Sequence, residues 1–251
     1  MELFLKNNTQ IREDILNLKL FFDLKEASAY AKVHLKIFRS DVDIDGFDII
    51  IDDNDFSLIK CQLKSRFEAK TQYFKIHRIM LKPNSNNYGN FEFEGPIGCP
   101  SDSRGVILID GKIVNKKIET RYYYLDIYLL RAMELGIFKI NSNSKRFASS
   151  VLKDLRNVDL KEKIKVIHSL FFPLSDANTL LAIMGFIAEK NINLISQIIK
   201  ISEIINKPGM KNSEKISQMQ GPWNAIHADL ESLRHEKRKI IKCELNESVF
   251  N

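Results

Sequence analysis

Two strand-like segments separated by a short polar break constrain the fold of this 251-residue chain more than any other feature. Residues 45–51 and 57–65 are both rich in apolar and β-branched side chains, and the polar residues between them indicate a turn. Side chains alternate between the two faces of a strand. Gln62 and Lys64 therefore share one face, while the apolar residues beside them point into a core.

The pairing of these segments determines which side chain lies opposite Gln62. If residues 52–58 form the connection and Ile51 pairs with Ile59, Asp48 lies opposite Gln62 on the same side of the hairpin. Carboxylate and amide oxygens suit a hard divalent cation that binds phosphate and lowers the pKa of a water molecule. A lysine beside them can stabilise developing negative charge. This combination predicts metal-assisted phosphodiester cleavage.

The order Asp48, spacer, Gln62, any residue, Lys64 resembles the core motif of the restriction-endonuclease-like PD-(D/E)XK nuclease superfamily. Thirteen residues separate Asp48 from Gln62, and the resemblance covers residues 10–110 at most. Gly46 before the first strand and Ser65-Arg66 after the second strengthen the likeness. Members more often carry Glu at the position of Gln62, so an amide here predicts weaker metal affinity.

The resemblance implies an α+β fold with a mixed sheet flanked by helices. It also implies a Mg²⁺ or Mn²⁺ ion held by Asp48, the Gln62 side-chain oxygen and the Leu63 backbone carbonyl. Lys64 would then position water and stabilise the phosphate. Asp43 and Asp45, in the preceding loop, are further possible ligands, although acidic residues in a turn are usually only hydrated.

Members commonly add a glutamate from the helix that precedes these strands, and two residues fit that description. Glu13 lies in a segment where apolar residues recur at helical spacing after Thr9, a candidate N-cap. These apolar residues are Ile11, Ile15, Leu18 and Phe22. Glu26 lies in a shorter helix-prone stretch before a predicted strand at 32–38. Glu13 is preferred because its helix is better defined, and both can be ordinary surface residues.

Several basic and aromatic residues are candidates for nucleic-acid contact. They are Ser65, Arg66, His77, Arg78, Arg234, Lys237 and Arg238. Tyr122, Tyr123 and Tyr124 could stack on bases, but at least two of them are expected in the core. His227, Glu231 and His235 share one face of the last predicted helix, where a solvated stripe is favoured over a metal site.

Charge and cysteine content narrow the class of protein. The net charge is +6 with a pI near 9.0, which favours a polyanionic partner such as DNA. Three scattered cysteines without a CxxC pair indicate neither a disulfide framework nor a thiolate zinc site. We find neither a signal peptide nor an apolar run long enough to span a bilayer. A soluble cytoplasmic protein without a membrane partner is therefore expected.

The resemblance implies a nuclease core, which we place over residues 1–140. Apolar periodicity predicts an all-helical region over 141–251, which could serve dimerisation or nucleic-acid contact. In the first part we predict a strand at 73–81, a two-residue hairpin at Asp110-Gly111 and a helix from about Arg121 that stops at Gly136. Residues 141–144 are the predicted linker. The last helix is predicted from about 213 to 242, with an interruption at Gly221-Pro222.

These observations predict a metal-dependent endodeoxyribonuclease of the restriction, phage-defence, recombination or repair type, acting as a homo-oligomer, most simply a dimer. One alternative is a catalytically inactive nuclease-fold protein that binds nucleic acid or assembles with others. A second is a helical interaction module joined to an unrelated β-domain, in which the three motif residues do not converge.

Overall fold

A mixed six-stranded sheet lies at the centre of the computed structural model. Among the strands that the structure describes, only the β3–β5 pair of this sheet runs parallel, and the other neighbouring strands are antiparallel. A separate two-stranded ribbon pairs β4 with β7. The strands in spatial order are β1 (Lys36–Arg39), β2 (Ile49–Asp52), β3 (Leu58–Phe67), β5 (Ser103–Val114), β6 (Lys117–Leu125) and β8 (Phe172–Leu174), with β4 (Tyr73–His77) and β7 (Lys163–Ile167) in the ribbon.

Helices flank this sheet and make up most of the C-terminal part, so the predicted α+β class is confirmed. The structure describes residues 2–40, 46–54, 58–68, 72–83, 103–138, 142–157, 162–174, 176–187 and 194–234. Among them the helices are α1 (Glu2–Asn7), α2 (Thr9–Tyr30), α3 (Ile127–Leu135), α4 (Ser142–Arg156), α5 (Ala177–Ile183), α6 (Leu194–Asn206) and α7 (Asn212–Arg234). None of these helices is both long and apolar enough to cross a membrane.

The hairpin between β2 and β3 has the predicted register. Ile51 pairs with Ile59 and Ile49 pairs with Cys61, and all four side chains are buried. A slip of one residue would move these apolar groups to the opposite face. Burial of this set therefore excludes such a slip, and the observed register leaves Asp48 beside Gln62, at the end of the β2–β3 ladder.

The hairpin between β5 and β6 turns at Asn115-Lys116, so the predicted turn at Asp110-Gly111 is wrong. Val114 pairs with Lys117, and the two residues between them have φ of 50° and 64°, as a type I′ turn requires. Gly111 lies inside β5 because the helical layer approaches closely there. A Cβ at Gly111 would lie 2.6 Å from the Leu16 side chain.

Helix α2 runs unbroken from Thr9 to Tyr30, preceded by Asn8 rather than Thr9 as the N-cap residue. Its buried residues are Leu16, Leu20, Leu24, Ala27 and Ser28. The apolar residues whose spacing predicted this helix are not the buried ones, because Ile11, Leu18 and Phe22 are exposed. The helix therefore carries apolar residues on two faces, and only one of them covers the sheet.

The C-terminal part is not all-helical, since β7 and β8 occupy residues that had been predicted as helix. Lys163 and Lys165 are exposed and alternate with buried Ile164 and Val166, which is the period of a strand. β8 pairs with β6, and β7 pairs with β4. Residues on both sides of the predicted boundary at 140/141 therefore share one sheet and one core cluster.

Three further predictions concern the bounds of elements. α3 ends at Gly136 in the left-handed conformation (φ 74°), as predicted. Its predicted start near Arg121 is wrong, because that residue lies in β6 and pairs with Asp110. The predicted strand at 73–81 is shorter, because β4 ends at His77 and a 3-10 helix, Arg78–Leu81, follows. The predicted interruption of α7 is wrong, since Pro222 lies inside a continuous helix. Buried Trp223, Ile226 and Leu230 hold this helix in place despite the hydrogen bond that proline removes.

The β5–β6 turn yields a stability prediction. Replacing Lys116 by glycine should raise the free energy of unfolding by roughly 1 kcal/mol, because glycine adopts positive φ without the steric cost of a Cβ. Urea denaturation measures the difference. As a matched control, Lys117→Gly lies in β6, and we expect it to lower stability by roughly 0.5–1 kcal/mol. Equal effects of the two variants would contradict the turn assignment.

Candidate functional site

Asp48 lies at the N-terminal end of β2 and is held against β3. Its backbone N–H donates to the Cys61 carbonyl at 2.9 Å, and its Oδ2 accepts a hydrogen bond from the Leu63 N–H at 2.5 Å. The side chain is half-buried. The carboxylate therefore accepts the Leu63 N–H in place of a backbone carbonyl of β2. This contact fixes it next to Gln62 and Leu63.

Gln62 is buried, with 5% of its surface exposed. Its Oε1 accepts a hydrogen bond from the His77 N–H at 3.1 Å, so the end of β4 orients the amide. Gly46, with φ of 72°, allows His77 to approach, because a Cβ at that position would collide with the His77 ring. An amide oxygen has two lone pairs, so this single hydrogen bond leaves it capable of a second contact.

Lys64 follows Gln62 on the same face of β3, about 7 Å farther along the strand. It is half-buried and pairs in register with Leu108 of the parallel neighbour. Cationic residues dominate this face along β3 and the start of β5. They are Lys60, Lys64, Arg66 and Arg104, all half-buried. We call this set the cationic face of the sheet.

The candidate metal ligands at Asp48, Gln62 and Leu63 are all oxygen atoms, which is the type of ligand that Mg²⁺ prefers. Mg²⁺ is commonly bound through one or two carboxylates, with water and phosphate oxygens as the other ligands. Asp48 supplies one carboxylate, and Gln62 and the Leu63 carbonyl supply neutral oxygens. Within the part of the chain that the structure describes, no group of three His, Cys, Asp or Glu residues could hold a metal. Asp43 and Asp45 lie outside the described residues.

The two candidate glutamates lie on α2, which packs on the other face of the sheet. Leu16 of that helix approaches Gly111 and Phe67, and Phe67 points away from the face of Lys64 because odd and even residues of β3 alternate. Glu26 lines a cavity of about 670 Å³ on this opposite face, together with Asp23, Tyr122 and Asp176. The structure therefore does not bring Glu26 to Gln62 and Lys64. Glu13 is half-buried on the same helix.

Beyond Lys64, the cationic face leads to a group that the sequence did not reveal. Arg66 forms an ion pair with Asp110 at 2.6 Å, and its guanidinium lies 5.9 Å from the ring centre of Tyr123. His168 packs edge-on against the same ring at 4.9 Å. Burial and the nearby Arg66 lower the pKa of His168, so its imidazole is neutral near pH 7. Nothing local in the sequence links His168 to β3.

A buried acidic residue, Asp126, was also missed. It caps α3, accepting a hydrogen bond from the Leu129 N–H at 2.7 Å, and burial raises its pKa to about 7. Burial and the Asp126 and Asp48 carboxylates raise the pKa of the Cys61 thiol, so Cys61 stays protonated and is a poor nucleophile. The sequence signal for this cap is an Asp immediately before an apolar helical segment, because Asp is a preferred N-cap residue.

Other predicted contact residues are used structurally. Arg78 donates to the carbonyls of Leu155 and Asn157 at 3.0 and 2.6 Å, capping the end of α4. The His77 ring is buried and lies 2.8 Å from a Glu162 carboxylate oxygen. Ser65 points to the face opposite Lys64. The predicted basic contact residues at the end of α7 lie outside what the structure describes. They are the Arg234 side chain, Lys237 and Arg238.

Two of the three tyrosines are core residues, as predicted. Tyr122 and Tyr124 are each 2% exposed, whereas Tyr123 is half-buried on the cationic face. On α7, His227 is exposed and Glu231 half-buried, and His235 lies outside the described residues. The arrangement on α7 therefore gives no support to a metal site there.

Comparison with protein-family models, with curated proteins and with solved structures found no match.

The raised pKa of Asp126 predicts a pH dependence of stability. The folded chain holds a proton on Asp126 up to about pH 7, whereas the unfolded chain releases it near the ordinary value of 3.8. The contribution of Asp126 to the free energy of unfolding is therefore fully present below pH 3.8, and it is lost as the pH rises to about 7. In wild type the loss should reach up to about 4 kcal/mol, since a tenfold change in proton affinity is worth about 1.4 kcal/mol.

Asp126→Asn tests this expectation, because asparagine is neutral at every pH and is also a good N-cap. Urea unfolding at pH 5 and pH 8 should show that the stability of the variant relative to wild type rises with pH. A constant difference between the two proteins would show that Asp126 is ionised in the folded state at both pH values.

Proposed function

We propose that this chain is a metal-dependent endonuclease that hydrolyses DNA phosphodiester bonds, with Asp48, Gln62 and Lys64 as its central residues. One observation carries the proposal. The β2–β3 register and the Leu63 N–H bond place a carboxylate beside the Gln62 amide, at the edge of a half-buried cationic face. The PD-(D/E)XK resemblance supplies the reaction type, and the neighbouring positions of Asp48 and Gln62 support the proposal.

In this proposal Asp48, the Gln62 oxygen and the Leu63 carbonyl hold a Mg²⁺ or Mn²⁺ ion. When bound, such an ion polarises a phosphate oxygen and lowers the pKa of a coordinated water. The Leu63 N–H keeps the Asp48 carboxylate in one orientation, and the His77 N–H does the same for Gln62. These contacts preorganise the oxygen ligands before any nucleic acid arrives.

Lys64 in this proposal contacts the scissile phosphate. Its ammonium group would stabilise the negative charge that increases on the phosphate oxygens as the water attacks. Lys60, Arg66 and Arg104 lie along the same face and would attract the flanking phosphates through counterion release. Tyr123 and His168, which adjoin Arg66, would border the path of the polynucleotide.

An inactive nucleic-acid-binding scaffold is the second candidate function, and one observation favours it. Gln62 is neutral where members of the superfamily more often carry glutamate, and its buried Oε1 already accepts a hydrogen bond from His77. The cationic face would still bind a polyanion without cleaving it. Cleavage and binding must therefore be measured separately.

Lys64→Ala tests the endonuclease proposal. With supercoiled plasmid and Mg²⁺ or Mn²⁺, we expect wild type to cut and Lys64→Ala to be slower by about 100-fold or more, because a charge-stabilising donor is worth about that much. Lys60→Ala is the matched control, on the same face of the same strand, and should change the rate by less than about 5-fold. Binding of a duplex in EDTA should be similar for both variants.

Gln62→Glu distinguishes an active from a decayed site. The added carboxylate keeps an oxygen for the His77 N–H and places a second negative charge beside Asp48. We expect half-maximal cleavage at a Mg²⁺ concentration about 10-fold lower than for wild type. Duplex binding without cleavage by wild type, with cleavage restored in Gln62→Glu, would identify the scaffold. Absence of cleavage by both proteins on plasmid, single-stranded DNA and RNA would contradict the nuclease proposal.

A further inference from the structure

Helix α2 has an apolar stripe that nothing in the described structure covers. Ile11, Leu18 and Phe22 are 42%, 59% and 64% exposed, and half-buried Ile15 lies between them. The opposite face of α2 is already buried through Leu16, Leu20 and Leu24. A helix that is apolar on two faces is typically buried on both, so the outer stripe needs a partner.

The spacing of the stripe matches another helix. Residues 11, 15, 18 and 22 are separated by four, three and four positions, which is the seam of a helix pair that packs knobs into holes. The stripe is about 16 Å long at 1.5 Å per residue. An antiparallel copy of the same helix, centred on Leu18, would place Leu18 against itself and Ile15 against Phe22 of the second copy.

The charges beside the stripe are compatible with that antiparallel arrangement. Arg12 and Glu26 flank the same side of the stripe near its two ends, and Lys19 lies between them. A two-fold axis at Leu18 brings Arg12 next to Glu26 of the second copy, twice. Lys19, near the centre of this edge, forms a salt bridge with Asp23 on its own helix. The axis also brings the two Lys19 side chains near each other, and the Lys19–Asp23 salt bridge within each copy offsets their repulsion.

We propose that the exposed stripe of α2 is a homodimer interface, in which two copies of the chain pack their α2 helices antiparallel around Leu18. Self-complementarity of the stripe and of its flanking charges is what a two-fold interface requires. The inference does not depend on nuclease activity, because α2 packs on the face of the sheet opposite Lys64. The two cationic faces would point outward, away from the interface.

The first test compares oligomeric state across variants of the full chain. Sedimentation velocity from about 1 to about 200 µM should show wild type passing from monomer to dimer. Leu18→Glu and Phe22→Glu should each raise the dimer dissociation constant by about 100-fold or more, because a charge would be buried in an apolar seam. Phe147→Glu is the matched control, an aromatic residue on α4 that is 40% exposed, and should leave the dimer intact.

A second test reads the direction of packing. In a chain with Cys99→Ser and Cys243→Ser, Leu18→Cys should form an intermolecular disulfide on mild oxidation, because the two copies of residue 18 meet at the axis. Phe147→Cys should not. Arg12→Glu and Glu26→Arg should each weaken the dimer, and the double variant should restore it. Circular dichroism and thermal unfolding confirm that each variant is folded.

Three results would overturn the proposal. They are a wild-type monomer at about 200 µM, a dimer that persists in both Leu18→Glu and Phe22→Glu, or a Leu18→Cys disulfide no faster than that of Phe147→Cys. Failure of the cleavage assay has no bearing on these results, so the interface and the proposed enzymatic function are tested independently.

Discussion

Parallel pairing of β3 with β5 is the constraint on which the rest of the structure depends. Nine residue pairs join the two strands, from Ile59–Ser103 to Phe67–Gly111, and a parallel pair needs a long crossover between its strands. Because β2 pairs with residues 58–61 on the other side of β3, the first half of the strand is hydrogen-bonded on both edges. Side-chain alternation is then fixed for its whole length. One face carries Gln62 and the cations, and the other is covered by α2.

Local patterns in the sequence were sufficient for several features. The alternation of residues 45–65 and a connection at 52–58 together gave the β2–β3 register, in which Ile49, Ile51, Ile59 and Cys61 share one buried face. A glycine after an apolar helix gave the end of α3. The position of Asp48 beside Gln62 followed from that register. The α+β class followed from the family resemblance, and the change from strand period to helix period along the chain agrees with it.

Features that depend on distant residues were not predictable in this way. The α2 sequence offers two apolar stripes, and only packing against β5 decides that Leu16 and Leu20 are inside while Leu18 and Phe22 are outside. Asp110-Gly111 is a good turn sequence, yet contact with Leu16 keeps Gly111 in a strand. The sequence predicts a helix where β7 lies, because the alternation of exposed and buried residues over Lys163–Ile167 is short. It forms a strand through pairing with β4, which is distant in sequence. Arg66, Tyr123 and His168 meet only because three separate segments converge.

The late position of β8 in the chain has a consequence for folding and synthesis. Phe172–Leu174 pairs with Tyr122–Tyr124, and Ile167 in β7 pairs with Tyr73 in β4, so both closures join residues far apart in sequence. Contacts of high sequence separation fold slowly. Until the ribosome has released about 175 residues, β6 remains an unpaired sheet edge that other nascent chains can join. Slowed translation before residue 172, or truncation there, should therefore cause aggregation through the open edge of β6. The effect should not be limited to the absence of β8.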